Sequence, residues 1–198
     1  MKRAFALAAL LMIGSLSAFA QTPQPVWTID TSHSTAEFSV RHMMVSKVKG
    51  RFGNVTGTVT GDLAKPETAV VDVTIDASSI DTDNENRDKH LRSADFFEVE
   101  TYPTITFKSK KIEKAGDGLR MTGELTMHGV TREIVLDVDG PAPPVKAGKS
   151  LRSGASARAS LQRKDYGLTW NKTLDEGGIA VSDEVGIAIE VELVKKTE

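Results

Sequence analysis

The chain has 198 residues, 39% of them hydrophobic and 26% charged, with a formal net charge of −2 and no cysteine. The hydrophobic share is too high for a disordered chain and suits a globular one. A slightly acidic surface lacks the basic stripe that displaces counterions from nucleic acid, and without cysteine there is no disulfide framework.

The first segment reads as a targeting signal. Lys2 and Arg3 precede an apolar run from Ala4 to Leu16, and Ala18-Phe19-Ala20 gives the small-x-small pattern of a cleavage site. Residues 1–20 are therefore predicted to be a cleavable signal peptide. The run falls short of the ~20 apolar residues that span a bilayer, which argues against an anchor. Residues 21–198 are expected to form one exported, soluble domain. Removing Lys2 and Arg3 from the 25 basic residues leaves 23 against 27 acidic ones, a net charge near −4.

Period-two alternation dominates from Trp27 onward, and each row is apolar on one face. Trp27 and Ile29 come first, then Ala36, Phe38, Val40, His42 and Met44. Val55, Gly57, Val59, Gly61 and Leu63 make the next row, followed by Val71, Val73 and Ile75. After a mixed stretch come Ile105, Phe107 and Ser109, then Leu119, Met121, Gly123, Leu125 and Met127. Ile134, Leu136 and Val138 precede Ala155, Ala157, Ala159 and Leu161, and Val185, Ile187, Ile189, Val191 and Leu193 close the chain. Eight or nine one-sided strands predict an all-β antiparallel fold. Strands of roughly ten residues extend about 33 Å, which suits an elongated barrel whose closure removes exposed edges. A short helix is expected near residues 84–93, and the Pro/Gly-rich stretch 140–150 reads as a loop.

Small residues recur on inward rows: Gly57 and Gly61, then Gly123, then Ala155, Ala157 and Ala159. Tight packing would explain them, since barrels alternate small with large. A cavity would explain them too, because an eight-stranded barrel is either filled or holds one small ligand. Three such rows on separate strands tilt the balance toward a ligand. The candidate lining is apolar: Phe38, Val40, Phe52, Val59, Val73, Ile75, Phe107, Met121, Leu125, Met127, Leu136, Leu161, Ile187 and Ile189, with Leu91, Phe96, Phe97 and Trp170 from the less regular segments. Such a lining fits a long lipid, with no cofactor beyond that guest.

The four histidines form no HxH or HxxxH pair, which argues against a dedicated metal site. His42 shares the row of Phe38 and Val40. It reads either as a core histidine bonded to a neighbouring strand or to Asp30, or as a head-group contact or gate at the barrel mouth. Asp81, Asp83, Arg87, Asp88 and His90 read as helix caps and surface ion pairs, or as a lid that meets the head group. No G-x-S-x-G elbow is present, and no catalytic residue is assigned. The runner-up reading is an enzyme acting on a lipid in the same cavity, with His42 or Asp165 as acid/base. A third is a filled barrel with no ligand.

Several stretches carry a family resemblance. WTID (27–30), HS (33–34), FSVRH (38–42) and GRF (50–52) resemble the amino-terminal signature of the YceI-like family of periplasmic polyisoprenoid-binding proteins. IDT (80–82), RD (87–88), LRSADFF (91–97) and YPTITFKS (102–109) continue it, and GELTMHGVT (123–131) and RKDYGLTW (163–170) fit its later motifs. The resemblance implies a lipocalin-like barrel that holds a long isoprenoid or related lipid, such as an isoprenoid quinone. It also implies a periplasmic carrier or scavenger rather than an enzyme, and makes a homodimer plausible. Two positions depart from the pattern: Met43-Met44 stand where the family more often has a glycine nearby, and Tyr166 replaces a commoner Phe.

Overall fold

Alternation becomes strand wherever one face can be buried, and the computed structural model, which describes residues 24–175 and 178–197, follows that rule. The strands are β1 (Val26–Ile29), β2 (Thr35–His42), β3 (Ser46–Phe52), β4 (Val55–Thr60), β5 (Val70–Asp76), β6 (Ile80–Asp81), β7 (Thr104–Ala115), β8 (Gly118–Met127), β9 (Val130–Asp139), β10 (Val145–Ala147), β11 (Ser150–Gln162) and β12 (Val181–Lys196), with one α-helix, α1 (Glu85–Arg92), between β6 and β7. The expected signal peptide lies outside the described residues.

Eight strands close a ring, in the order β1, β4, β5, β7, β8, β9, β11, β12 and back to β1. Every pairing is antiparallel, and the β11–β12 seam runs unbroken from Ser150↔Lys196 to Gln162↔Glu184. This is the elongated eight-stranded barrel. β1 and β2 lie end to end along the free edge of β12, with Ile29 opposite Leu193 and Thr35 opposite Glu190. At Asp30 their partners diverge. β1 stays in the ring with β4, whereas β2 carries β3 and β6 away from it. The space this leaves is filled by a plug, made of α1 and the segment that follows it to Tyr102. Phe52, Ala77, Ile80, Phe96, Val99 and Ile105 bury one another there, with Met127, Tyr166 and Leu168 from the far wall.

The helix is short and mostly polar, so side-chain anchors hold it in place of a wide apolar face. Asn84 caps it by accepting from the Arg87 N–H at 3.0 Å. Asp88 is buried and accepts from the Thr82 N–H at 2.9 Å and from its hydroxyl at 2.5 Å. Arg87 donates to the Thr82 hydroxyl and carbonyl, both at 2.7 Å, and Arg92 donates to the carbonyls of Ser78 and Ile80.

Four expectations are corrected. The 140–150 stretch is not wholly loop, because Val145–Ala147 pairs with the start of β11. Met44 does not continue the inward row; the chain turns after His42, and Met44 is exposed. In β7 a bulge between Ser109 and Lys111 flips the parity, so that Ile112 joins Phe107 on the inside.

The fourth correction concerns the glycine row. A Cβ on Gly57 would collide with the Asp72 carbonyl, and one on Gly61 would lie 2.9 Å from Ala69 Cα. Both residues have positive φ, +155° and +142°. The missing side chains are space taken by the backbone of the next segment, and Gly123 is likewise covered by the Phe107 ring. Gly57→Ala is therefore expected to lower the melting temperature by several degrees, with or without lipid. Alanine at positive φ and overpacking together cost about 1–3 kcal/mol. Thermal unfolding of loaded and delipidated protein checks this; an unchanged midpoint would restore Gly57 to the lumen.

Candidate functional site

The inward rows do not meet across the barrel axis. They enclose a cavity of about 470 Å³, within the ~300–1,000 Å³ range of small-molecule sites. Its walls come from three hydrophobic clusters, centred on Phe52 and Phe96, on Phe107 and Met121, and on Trp27 and Val55. Along β12 alone, Val181, Val185, Ile187, Ile189, Val191 and Leu193 all face it. That span is roughly 40 Å along the strand at ~3.3 Å per residue, or about 30 Å along a barrel axis to which strands tilt by ~40°. A volume of 470 Å³ drawn out over that length is narrow, and suits one extended chain.

Most of the sequence-predicted residues face this space: Phe38, Val40, His42, Phe52, Val59, Val73, Ile75, Phe107, Met121, Leu125, Met127, Leu136, Ala157, Leu161, Ile187 and Ile189 from the strands, and Leu91, Phe96, Phe97 and Trp170 from the plug and its facing loop. Gly57, Gly61 and Ala159 do not. The glycines are covered by neighbouring chain, and Ala159 packs against the Phe107 cluster without reaching the open space.

The two ends of the cavity differ. Leu63, Pro66, Ala69 and Pro141 cover one end, and all are buried or half-buried. At the other end two lining residues, His42 and Arg87, are exposed, which marks the mouth. Apart from Glu37 and Ser156, which lie on the outward parity of their strands, the polar lining gathers here as His42, Thr82, Arg87, His90 and Arg163. His90 is clamped by Asp95 at 2.7 Å and stands edge-on to Phe96 and Trp170, with centroids 5.1 and 5.0 Å away. Within the 81–90 cluster, buried Asp88 holds the helix, while Arg87 and His90 also line the cavity.

Of the two readings of His42, the core one is not met, since the residue stands at the rim. Its parity is inward, but β2 ends there and the ring is exposed. Asp30, its expected partner, is engaged by His33 at 3.2 Å and by Arg152 at 2.9 Å. Those two hydrogen bonds hold the Asp30 carboxyl below the usual carboxylate range. Glu192 joins the group, and Arg152 supplies its cation. Asp165, the other acid/base candidate, is exposed on an outer groove beside Arg132 and Arg158 and does not reach the cavity. Of the two acid/base candidates, only His42 reaches the cavity, and it does so at the exposed rim.

Arg163 was not foreseen. It is 5% exposed and gives the mouth its firmest scaffold, donating to the carbonyls of Leu168 (2.5 Å), Trp170 (2.8 Å) and Ser182 (2.9 Å) and to Asp183 Oδ1 at 3.0 Å. Burial pushes its pKa below the usual guanidinium value, and the Asp183 charge opposes that shift. A signal existed: Arg163 continues the inward parity of Ala157, Ala159 and Leu161. Val48, which faces the cavity from β3, follows the same rule with Gly50 and Phe52.

Comparisons with known proteins agree with this architecture. Residues 27–193 match the model of the YceI-like domain. A UPF0312 protein of Staphylococcus aureus (strain MSSA476) is 36% identical over 161 residues, covering 80% of this chain and 91% of the relative. The crystal structure of the Campylobacter jejuni YCEI protein superposes with a TM-score of 0.67 at 35% identity, covering 79% of this chain and 90% of that one. Burkholderia cenocepacia BcnA superposes at 0.69 with 24% identity, over 83% of this chain and 98% of that one. A polyisoprenoid binding domain from Saccharophagus degradans, implicated in plant cell wall breakdown, superposes at 0.59 with 15% identity, over 87% and 98%. These last two share the fold.

Proposed function

Because this chain belongs to the YceI-like family, we propose that it is a carrier or scavenger whose barrel lumen holds a long-chain polyisoprenoid or a related lipid such as an isoprenoid quinone. The observation that carries this reading is the narrow apolar cavity running along the barrel, open at one end and ringed there by the only cluster of polar lining groups among the described residues. Burying about ten methylenes at ~0.8 kcal/mol each supplies roughly 8 kcal/mol, micromolar affinity before ordering costs are subtracted. A chain long enough to fill the cavity offsets those costs.

The family and the barrel support a non-enzymatic role. The mouth offers a polar head the remaining guanidinium N–H groups of Arg87 and the second ring nitrogen of His90, whose Nε2 is held by Asp95, while the tail meets mostly hydrocarbon. The signal-peptide pattern of residues 1–20 supports export to the periplasm as part of this reading. No helix among the described residues is long and apolar enough to cross a membrane.

Organic extraction of the purified protein followed by mass spectrometry tests the reading. The expected result is about one intact lipid per barrel. A chemically altered lipid would instead support the enzyme, and a lipid-free barrel would end the carrier reading.

A further inference from the structure

We propose that the β2–β3 hairpin tip docks the barrel on an anionic bilayer, with Met43, Met44 and Val45 entering the interface and Arg41, Lys47 and Lys49 binding headgroups. The proposal rests on the lipid-carrier reading, since it supplies the place where the guest is exchanged.

The tip is unusual in both shape and composition. Val45 donates its N–H to the His42 carbonyl at 3.0 Å, closing a four-residue turn. Both central residues lie at positive φ, +49° for Met43 and +60° for Met44. Hairpin turns of this kind favour Asn-Gly or Asp-Gly, because large side chains are uncomfortable there. This chain instead places three apolar side chains at the tip, 45%, 64% and 83% exposed in chain order. They contribute nothing to the core in return for the backbone cost. Contiguous exposed apolar groups at a loop tip mark an interaction site.

The charges beside the tip indicate the partner. Arg41 stands directly opposite Lys47, and Lys49 is opposite Ser39, one step further along the outer face. Like charges paired across strands are unfavourable alone, and among the described residues none of these three makes an ion pair. On a chain of net negative charge this is a local basic patch. An apolar wedge flanked by lysine and arginine is the composition of interfacial anchors that select anionic lipid. A second copy fits less well, because a two-fold contact through the tip would set each basic patch against its own image.

The position completes the argument. His42, the first residue of the turn, is at once exposed and part of the cavity lining, and Val40 and Val48 behind it line the same wall. A docked tip brings the mouth to the membrane surface, so a hydrophobic guest can pass with little exposure to water.

The test is co-sedimentation of the purified protein, as isolated, with vesicles of phosphatidylcholine alone or mixed with phosphatidylglycerol. Wild type is expected to bind the mixed vesicles, and less so in high salt. The Met43→Asn/Met44→Gly double variant suits the turn better than the native pair, so it should melt no earlier, yet lose vesicle binding at least tenfold. Lys47→Glu/Lys49→Glu should lose binding to the mixed vesicles. Undiminished binding by either double variant would overturn the proposal. So would a wild-type dimer in sedimentation velocity that the Asn-Gly variant converts to monomer. Extraction of the same samples keeps the two readings apart: vesicle binding by a lipid-free wild-type barrel leaves the docking proposal standing and removes the carrier.

Discussion

Replacing Arg163 with leucine is expected to lower the melting temperature of the delipidated protein by roughly 10 °C or more. The guanidinium ties the segment that carries Leu168 and Trp170 to the start of β12 through carbonyls that accept no other hydrogen bond among the described residues. Leucine fills the volume but satisfies none of them, and each orphaned buried group costs about 1–3 kcal/mol. Loss of the Asp183 pair adds little, because that carboxylate is 30% exposed and keeps Lys164, but three orphaned carbonyls suffice, since each kcal/mol moves the midpoint by ~2–4 °C for a domain of this size. Lysine should recover little, since one ammonium cannot serve a fork of four acceptors. Lys164→Ala is the control. It removes the other, half-exposed partner of Asp183 and should cost about 1 kcal/mol or less. Thermal unfolding followed by circular dichroism decides the matter, and a leucine variant that melts within about 3 °C of wild type would mean that water takes over the carbonyls.

Ala157 should behave in the opposite way, changing occupancy and sparing stability. It stands between Val138 and Ile189 in register, and all three face the cavity. A leucine there grows into open space instead of a packed wall, and a tryptophan blocks the tube. Lipid per folded barrel is expected to fall several-fold for Ala157→Leu. For Ala157→Trp it should fall tenfold or more, about 1.4 kcal/mol of lost affinity. The melting temperature of delipidated samples should move by no more than a few degrees. Extraction and mass spectrometry set against that temperature separate the two effects. Full occupancy in the folded tryptophan variant would place the guest outside the lumen.

The contrast between Ala157 and Gly57 shows where sequence reading succeeds and where it stops. Parity is local, because a strand turns successive side chains to opposite faces. Residues such as Phe38, Leu136 and Ile187 could therefore be assigned inward from their neighbours alone. What fills the space above a missing side chain is not local. Gly57 reads as a vacancy along its own strand, yet the Asp72 carbonyl of the next strand occupies it. Parity also says nothing about where a strand ends, which is why His42 points inward and is still wet. It fails as well at a bulge, as Ile112 does. Arg163 shows the reverse case. Parity placed it inside, and its charge hid that, because a buried arginine is tolerable only when several distant carbonyls converge on it.

The parting of the barrel at Asp30 bears on how quickly a guest enters and leaves. Around the closed ring, separating two strands means breaking a ladder, which happens on the timescale of global unfolding. The plug is attached differently. Among the described residues, the backbone from 84 to 102 hydrogen-bonds only within itself, and it meets the facing loop through rings, Phe96 and His90 against Trp170. Rings can slide past one another while every ladder stays intact. Amide hydrogens of β11 and β12 should then remain protected for as long as the fold survives, through many cycles of loading. Cargo turnover is thereby uncoupled from unfolding, and a very stable barrel need not be a slow one.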